Sequence, residues 1–220
     1  VWWAFLGTLL PIAISLPLAA TVARIPKGMM IFRLVYFLPV VLPAIVVGII
    51  WGWIYNPVFG LLNSVLDVVG LGDFGRAWLG DSATALTSLI VASAWAYTGF
   101  CFVIFLAGIQ NIDIDLYESA IIDGANFRVQ FMKITIPMLR NVVTMLTTYT
   151  LIGGFSRVFD IIWITTKGGP GTSTEVLGTY IYKKSFQFYE FGFGASMSVT
   201  LGLIVATVSY FFVKLRERNN

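Results

Sequence analysis

The 220-residue chain is 58% hydrophobic and only 11% charged, whereas soluble domains carry about 25% charged residues. So few charged side chains cannot cover a water-soluble surface, and the composition therefore indicates an integral membrane protein. The absence of histidine excludes histidine-dependent hydrolysis and histidine metal sites, and a single cysteine excludes an internal disulfide. The net charge of +3 is modest. We predict no catalytic residue, no metal site and no nucleic-acid partner for this chain.

Five apolar stretches are each long enough to cross the hydrocarbon layer as a helix of ~20 residues. We place these spans at Trp2–Val22, Leu34–Ile54, Leu86–Ile109, Pro137–Thr165 and Phe193–Val213. Prolines 11, 17, 39 and 43 fall inside the first two spans, where packed neighbours make them tolerable in a membrane bundle. The pattern predicts an all-α integral membrane fold that forms a single domain, residues 1–220.

The basic residues divide unequally between the two sides of the membrane if the spans alternate. One side carries Arg24, Lys27, Arg33, Arg128, Lys133, Arg140, Lys214, Arg216 and Arg218. The other side carries Arg76, Lys167, Lys183 and Lys184. The richer side, with the C-terminus, should be cytoplasmic. This topology puts Val1 outside, so we expect an earlier span before this stretch. The alternative is that Trp2–Val22 is a signal peptide, although it lacks a basic n-region.

The densest cluster of charge lies in the third connection, residues 110–136. Asp115 and Glu118 are spaced as an N-terminal capping pair, and Gly124 supplies a C-terminal break. A second short helix should begin near Asn126. One face of this helix–glycine–helix element is charged, and the other is apolar at Leu116, Ala120, Phe127, Phe131 and Ile134. The element is either a solvated connection or an amphipathic unit that lies on its own bundle or enters a groove on a partner.

The string ESAIIDGA, residues 118–125, is followed at fixed spacing by Phe131, Ile134 and Pro137. Pro137 also suits the first turn of the next span. This pattern resembles the EAA loop of binding-protein-dependent ABC import permeases, with Ser119 in place of the family's first alanine. The resemblance implies a MetI-like permease bundle of six or more spans, five of which are present here.

The stretches at 37–63, 105–113 and 166–186 extend the resemblance to the carbohydrate-type subfamily. More narrowly, they are similar to the first permease subunit of maltose- and glycerol-phosphate-type importers. In that family the EAA loop docks into a groove of a cytoplasmic ATPase. The resemblance therefore implies an ATPase-coupling role for Glu118, Ser119, Ala120, Asp123, Gly124, Ala125, Phe131 and Pro137. Glu118 either pairs with a basic group of the partner or caps its own helix.

The glycine cluster at 167–172 is a poor candidate for a phosphate-binding loop, because its lysine precedes the glycines. We interpret the cluster as a turn on the outer side. The resemblance implies that this chain binds no cofactor itself, and that ATP and Mg bind to the partner ATPase.

Polar groups inside a membrane are functional candidates because burying them there is costly. Aromatic rings can stack on sugar faces, and hydroxyl or charged groups can bond to sugar hydroxyls. The spans before and after the EAA loop offer such residues for a substrate path: Ser93, Tyr97, Phe100, Tyr149, Phe155, Arg157 and Asp160. A structural ion pair between Arg157 and Asp160, and interfacial belts of aromatic side chains, are the alternatives.

The last outer connection, residues 166–192, is rich in aromatic residues. Its Ser173-Thr174-Glu175 signal predicts a short helix along the membrane surface. The aromatic side chains either anchor this connection in the membrane or contact a substrate-delivery protein.

Together these features predict a permease subunit of an ATP-driven sugar importer, in the cell (inner) membrane of a bacterium or archaeon. The expected partners are a second homologous permease, two cytoplasmic ABC ATPase subunits, an extracytoplasmic solute-binding protein and membrane lipid. An ABC permease for another solute, such as glycerol phosphate, is the first alternative. An ion-coupled secondary transporter is the second, although only Asp160 offers it an intramembrane carboxylate.

Overall fold

The computed structural model describes residues 2–25, 27–156 and 158–217, without the side chains at 155, 156, 213 and 215–217. The described residues form helices and turns, with no β-strand among them. The α-helices are α1 (Trp2–Val22), α2 (Met29–Val41), α3 (Ala44–Ile54), α4 (Leu61–Val68), α5 (Ala85–Gln110), α6 (Ile114–Ile122), α7 (Phe127–Gln130), α8 (Ile136–Met138), α9 (Arg140–Ser156), α10 (Phe159–Thr165), α11 (Leu177–Tyr182) and α12 (Phe191–Glu217). Two π-helical segments, Phe131–Thr135 and Lys183–Gln187, follow α7 and α11, and a 3₁₀ turn covers Gly72–Phe74.

Helix α5 is the centre of the bundle. It is apolar on every side, as expected for a helix surrounded by others, and Leu89, Phe102 and Phe105 along it are fully buried. Helices α1 and α2 pack directly against α5, and α9 packs against α1. Helix α10 packs against α3, beside the half of α5 nearer its N-terminus.

Three helical segments are long and apolar enough to cross a membrane, namely α1, α5 and Phe191–Phe212 of α12. These confirm the first, third and fifth predicted spans. Two bent helix pairs, α2 with α3 and α9 with α10, qualify as spans when each pair is taken together. The bundle therefore contains the five apolar segments that the sequence predicts.

The prediction of one continuous helix over Leu34–Ile54 was wrong. Helices α2 and α3 meet at an angle of 99°. Pro43 has no N–H to continue the helix, and Leu42 before it adopts an extended ψ of 132°. At a rise of 1.5 Å per residue, α2 is about 20 Å long and α3 about 16 Å long, so neither crosses a membrane alone.

The predicted span over Pro137–Thr165 is also divided. Its long helix, α9, begins at Arg140, because Leu139 leaves the helical conformation with φ −87° and ψ 4°. Pro137 lies instead in the first turn of the short helix α8. Further along, Arg140–Gly154 and Phe159–Thr165 are inclined at 43° to each other.

Candidate functional site

A pocket of about 320 Å³ opens in the bundle where α2 breaks into α3. One wall is the break itself, and α5, α9 and α10 complete the enclosure. The lining residues are Pro39, Val40, Leu42, Ala44, Val47, Ser93, Ala96, Tyr97, Phe100, Tyr149 and Ile161. We call this space the bundle pocket.

The bundle pocket owes its shape to a close contact between α2 and α5. A Cβ atom on Gly99 would lie only 1.8 Å from the backbone oxygen of Tyr36, so only glycine fits at this crossing. The contact holds the C-terminal part of α2 against α5, just before the break at Leu42. On the opposite wall, the rings of Phe100 and Tyr149 lie 5.0 Å apart and tie α5 to α9.

The structure brings four of the seven predicted substrate-path residues into one pocket. Ser93, Tyr97 and Phe100 come from α5, and Tyr149 comes from α9. Their hydroxyl groups and ring faces are the chemistry that a sugar requires. None of the lining residues that the structure describes is acidic or basic.

Of the other three predicted residues, the structure describes the side chain of Asp160 alone, and it does not belong to this lining. Asp160 is exposed, and its neighbour Ile161 lines the pocket in its place. The side chain of Phe155, and Arg157 with its predicted ion pair, lie outside the described residues. The prediction missed the wall made by the α2–α3 break, although the spacing of Pro39 and Pro43 marked that place in the sequence.

The 110–136 connection forms the predicted helix–glycine–helix element, made of α6, the turn at Gly124 and α7. Asp113 caps α6, because its side chain accepts a hydrogen bond from the Asp115 backbone N–H at 3.1 Å. The prediction of an Asp115–Glu118 capping pair was therefore wrong. The Asx turn formed by Asp113 starts the helix one residue before Asp115, which lies in its first turn.

The turn after α6 is a Schellman motif. The backbone N–H of Gly124 donates to Ile121, and that of Ala125 donates to Ala120. Gly124 has a φ of +77°, which only glycine adopts without strain. Asn126 then caps α7 by accepting a hydrogen bond from the Val129 backbone N–H. The break at Gly124 and the new helix start at Asn126 confirm the two local predictions made there.

Six of the eight predicted coupling residues lie in this element, and Phe131 and Pro137 follow it in the π-helical segment and in α8. Glu118, Ser119, Asp123, Gly124 and Pro137 are exposed, whereas Ala120, Ala125 and Phe131 are half-buried. The most exposed large apolar side chain of the element is Ile122, with 86% of its surface accessible. The sequence analysis did not single out Ile122, because it is not among the positions predicted to form the apolar face of the element.

The 166–192 connection folds around a partly buried polar cluster. Lys183 forms an ion pair with Glu175, and Thr179 donates to the same carboxylate. The predicted short helix is present as α11, but its cap differs from the predicted Ser173-Thr174-Glu175 signal. Thr179 instead accepts a hydrogen bond from the Val176 backbone N–H at 3.0 Å. This cluster leaves Phe186, Phe188 and Tyr189 strongly exposed.

Known proteins resemble this chain in sequence over most of its length. The family described as binding-protein-dependent transport system inner membrane component matches residues 11–218. The probable ABC transporter permease protein YurN of Bacillus subtilis is 38% identical over 183 residues. The match covers 83% of this chain and 62% of that protein, so the chain spans less than two thirds of this relative's length. The trehalose/maltose transport system permease protein MalF of Thermococcus litoralis is 32% identical over 216 residues, 97% of this chain and 71% of that protein.

The fold also has a solved counterpart. A crystal structure of a bacterial ABC transporter involved in the import of the acidic polysaccharide alginate contains a chain with a TM-score of 0.83 and 23% identity. The match covers 96% of this chain and 73% of that chain. Since the family match extends over nearly the whole sequence, the chain belongs to the inner-membrane components of binding-protein-dependent transport systems.

Proposed function

We propose that this chain is a permease subunit of an ATP-driven importer for neutral sugars or oligosaccharides. Its bundle pocket forms part of the path for the solute, and a second homologous permease forms the rest. A solute-binding protein delivers the solute from outside, and two ATPase subunits act from the cytoplasm. The C-terminus and the α6–α7 element are on the cytoplasmic side.

The bundle pocket is the observation that carries the choice of solute. Its described lining combines the rings of Phe100, Tyr97 and Tyr149 with the Ser93 hydroxyl and lacks a charged side chain. Among these described residues, an anionic solute such as glycerol phosphate has no cationic partner. The MalF relative, whose name gives trehalose and maltose, supports a neutral sugar for this chain.

The α6–α7 element is the surface proposed to meet the ATPase. Ile122 projects from the end of α6 and is the type of apolar anchor that fills a groove on a partner. Glu118, Ser119 and Asp123 lie near it in the chain and add polar groups, which suits the rim of an interface. Movement of the ATPases then biases a bundle that has two arrangements, one open to each side.

The direct test is ATP-driven uptake by the complete transporter. The chain is co-expressed with the permease, ATPase and binding-protein genes of its own transport system and reconstituted in proteoliposomes. Labelled maltose, trehalose, glycerol 3-phosphate and an alginate oligosaccharide are offered in turn, with ATP inside or with an ion gradient alone. We expect uptake of a neutral sugar that requires ATP and the binding protein. Uptake driven by the ion gradient without ATP would contradict the proposal.

A further inference from the structure

Helix α6 stands apart from the membrane bundle. A gap of about 860 Å³ separates it from the ends of α1 and α5. Ile114, Tyr117 and Ile121 of α6 line this gap, which therefore receives the apolar face of the helix. Among the described residues, α6 forms no extended interface with another helix. Besides the chain itself, which continues from α7 through the π-helical segment and α8 to α9, individual side chains connect the α6–α7 element to the bundle.

Arg24, just beyond the end of α1, makes one of these connections. Its guanidinium group lies 4.4 Å from the centre of the Phe127 ring in α7. The same group donates a hydrogen bond to the side-chain oxygen of Gln130, at the end of α7. A planar guanidinium can stack and donate at the same time, whereas a lysine ammonium has no plane to stack.

Gln130 extends this connection to the turn of the element. It is 3% exposed, and its amide nitrogen donates to the backbone oxygen of Ala125 at 2.8 Å. Ala125 directly follows the left-handed Gly124. The sequence of contacts from Arg24 through Gln130 to Ala125 therefore fixes the turn between α6 and α7 to the end of α1.

A second connection leads to a different part of the bundle. The hydroxyl of Tyr117 in α6 lies 3.0 Å from the hydroxyl of Thr135, in the π-helical segment that leads through α8 to α9. The element is thus tied to α9 through Tyr117 and to α1 through Arg24. Helix α1 in turn packs against α5 and α9, which line the bundle pocket.

We propose that Arg24 is a positioning residue that transmits movement of the α6–α7 element to α1. The inference rests on the proposed function, since it assumes that ATPases move this element. Its chemistry is a guanidinium group over an aromatic ring, bonded to a buried amide, and this contact couples α7 to the end of α1. Removing Arg24 also leaves the buried Gln130 oxygen without its donor, which weakens the position of the Ala125 turn.

The test compares Arg24→Ala with Lys27→Ala in the complete transporter in proteoliposomes. Lys27 is an exposed residue of the same loop between α1 and α2, so its variant controls for the loss of a positive charge from this loop. Solute uptake, ATP hydrolysis and co-purification of the ATPases are measured together. We expect Arg24→Ala to lower uptake per ATP about fivefold with the complex still assembled, and Lys27→Ala to leave it unchanged.

A double-mutant cycle separates transmission from general damage. If Arg24 acts through Gln130, then Arg24→Ala combined with Gln130→Ala lowers uptake per ATP no further than the more severe single variant. If the Arg24→Ala permease does not assemble with the ATPases, Arg24→Lys replaces it in the test. The lysine keeps the positive charge but lacks the planar guanidinium, so this variant should assemble and still show lowered uptake per ATP. Unchanged uptake per ATP in an assembled Arg24 variant, or losses that multiply in the double variant, would overturn the proposal. Absence of ATP-driven uptake by the unaltered transporter would instead count against the proposed function.

Discussion

The bundle pocket and the α6–α7 element use glycine for opposite purposes. Gly99 is buried beside the pocket, where a Cβ atom would collide with the backbone of Tyr36. Gly124 lies in open space, where a Cβ atom would have no neighbour within 4 Å, but its φ is +77°. The first glycine permits two helices to touch, and the second permits the chain to turn. The helix crossing beside the bundle pocket is therefore tightly packed, whereas the region proposed to meet the ATPase is attached by separate contacts.

The largest effect should come from Gly99→Ala. The added Cβ must displace α2 from α5, and overpacking of this kind costs about 3 kcal/mol. We expect loss of most of the folded transporter, measured by thermal unfolding in detergent and by uptake. Gly52→Ala is the matched control, because a Cβ atom there would meet nothing within 4 Å. Equal stability of the two variants would show that the α2–α5 crossing is not tightly packed.

Gly124→Val should separate insertion of the permease in the membrane from its coupling to the ATPases. A side chain in the left-handed region costs about 1–2 kcal/mol, which distorts the turn rather than the bundle. We expect a correctly inserted permease that loses ATP-driven uptake and no longer co-purifies with the ATPases. Gly70→Val has a similar φ of +78° and similarly open surroundings, so it controls for strain alone. Asparagine tolerates this conformation better, and Gly124→Asn should therefore retain part of the activity. Normal uptake by Gly124→Val would contradict the docking role.

Ile122→Ala tests the anchor itself without altering the turn. Truncating an apolar hot spot costs about 2 kcal/mol, or roughly thirtyfold in affinity. We expect the complex of the purified permease with the ATPases to be weaker by this factor, so that a smaller dilution is enough to dissociate it. Val58 has 89% of its surface accessible, and Val58→Ala therefore controls for loss of an exposed apolar side chain. Equal ATPase affinity in both variants would place the anchor elsewhere.

The smallest effect should come from Ser93→Ala in the bundle pocket. Loss of one neutral hydrogen bond to the solute costs about 1 kcal/mol, or roughly fivefold in the KM for uptake. Uptake per ATP at saturating sugar should not change. Ser196→Ala is the control, since the Ser196 hydroxyl donates to the Phe193 carbonyl within its own helix and lies outside the pocket lining. A change in uptake per ATP without a change in KM would remove Ser93 from the solute path.

The local turns could be predicted from sequence because neighbouring residues decide them. Gly124 and Asn126 each impose a conformation through their own chemistry, and both predictions were confirmed. The choice of cap between Asp113 and Asp115 was less determined, since either carboxylate can begin a helix at this point.

Pro39 and Pro43 marked the region of the helix break in the sequence, but the sequence did not show which proline breaks the helix or which residues complete the pocket. Pro39 lies inside α2 without ending it, whereas Pro43 coincides with a 99° bend. A proline can be accommodated within a helix or can end it, and the outcome depends on contacts with residues that are far apart in the chain. The same reason explains why Leu42 and Ala44 were missed as pocket residues while Ser93, Tyr97 and Phe100, which share one helix, were found together.

Measuring solute transported per ATP for two neutral sugars tests most directly whether the two regions act separately. The unaltered transporter, Ser93→Ala and Arg24→Ala are compared in the same proteoliposomes. We predict that Ser93→Ala changes the preference between the sugars and keeps the ratio to ATP for the better one. Arg24→Ala should lower that ratio equally for both sugars and leave the preference unchanged. If both variants change both the sugar preference and the uptake per ATP, the bundle pocket and the α6–α7 element do not act separately.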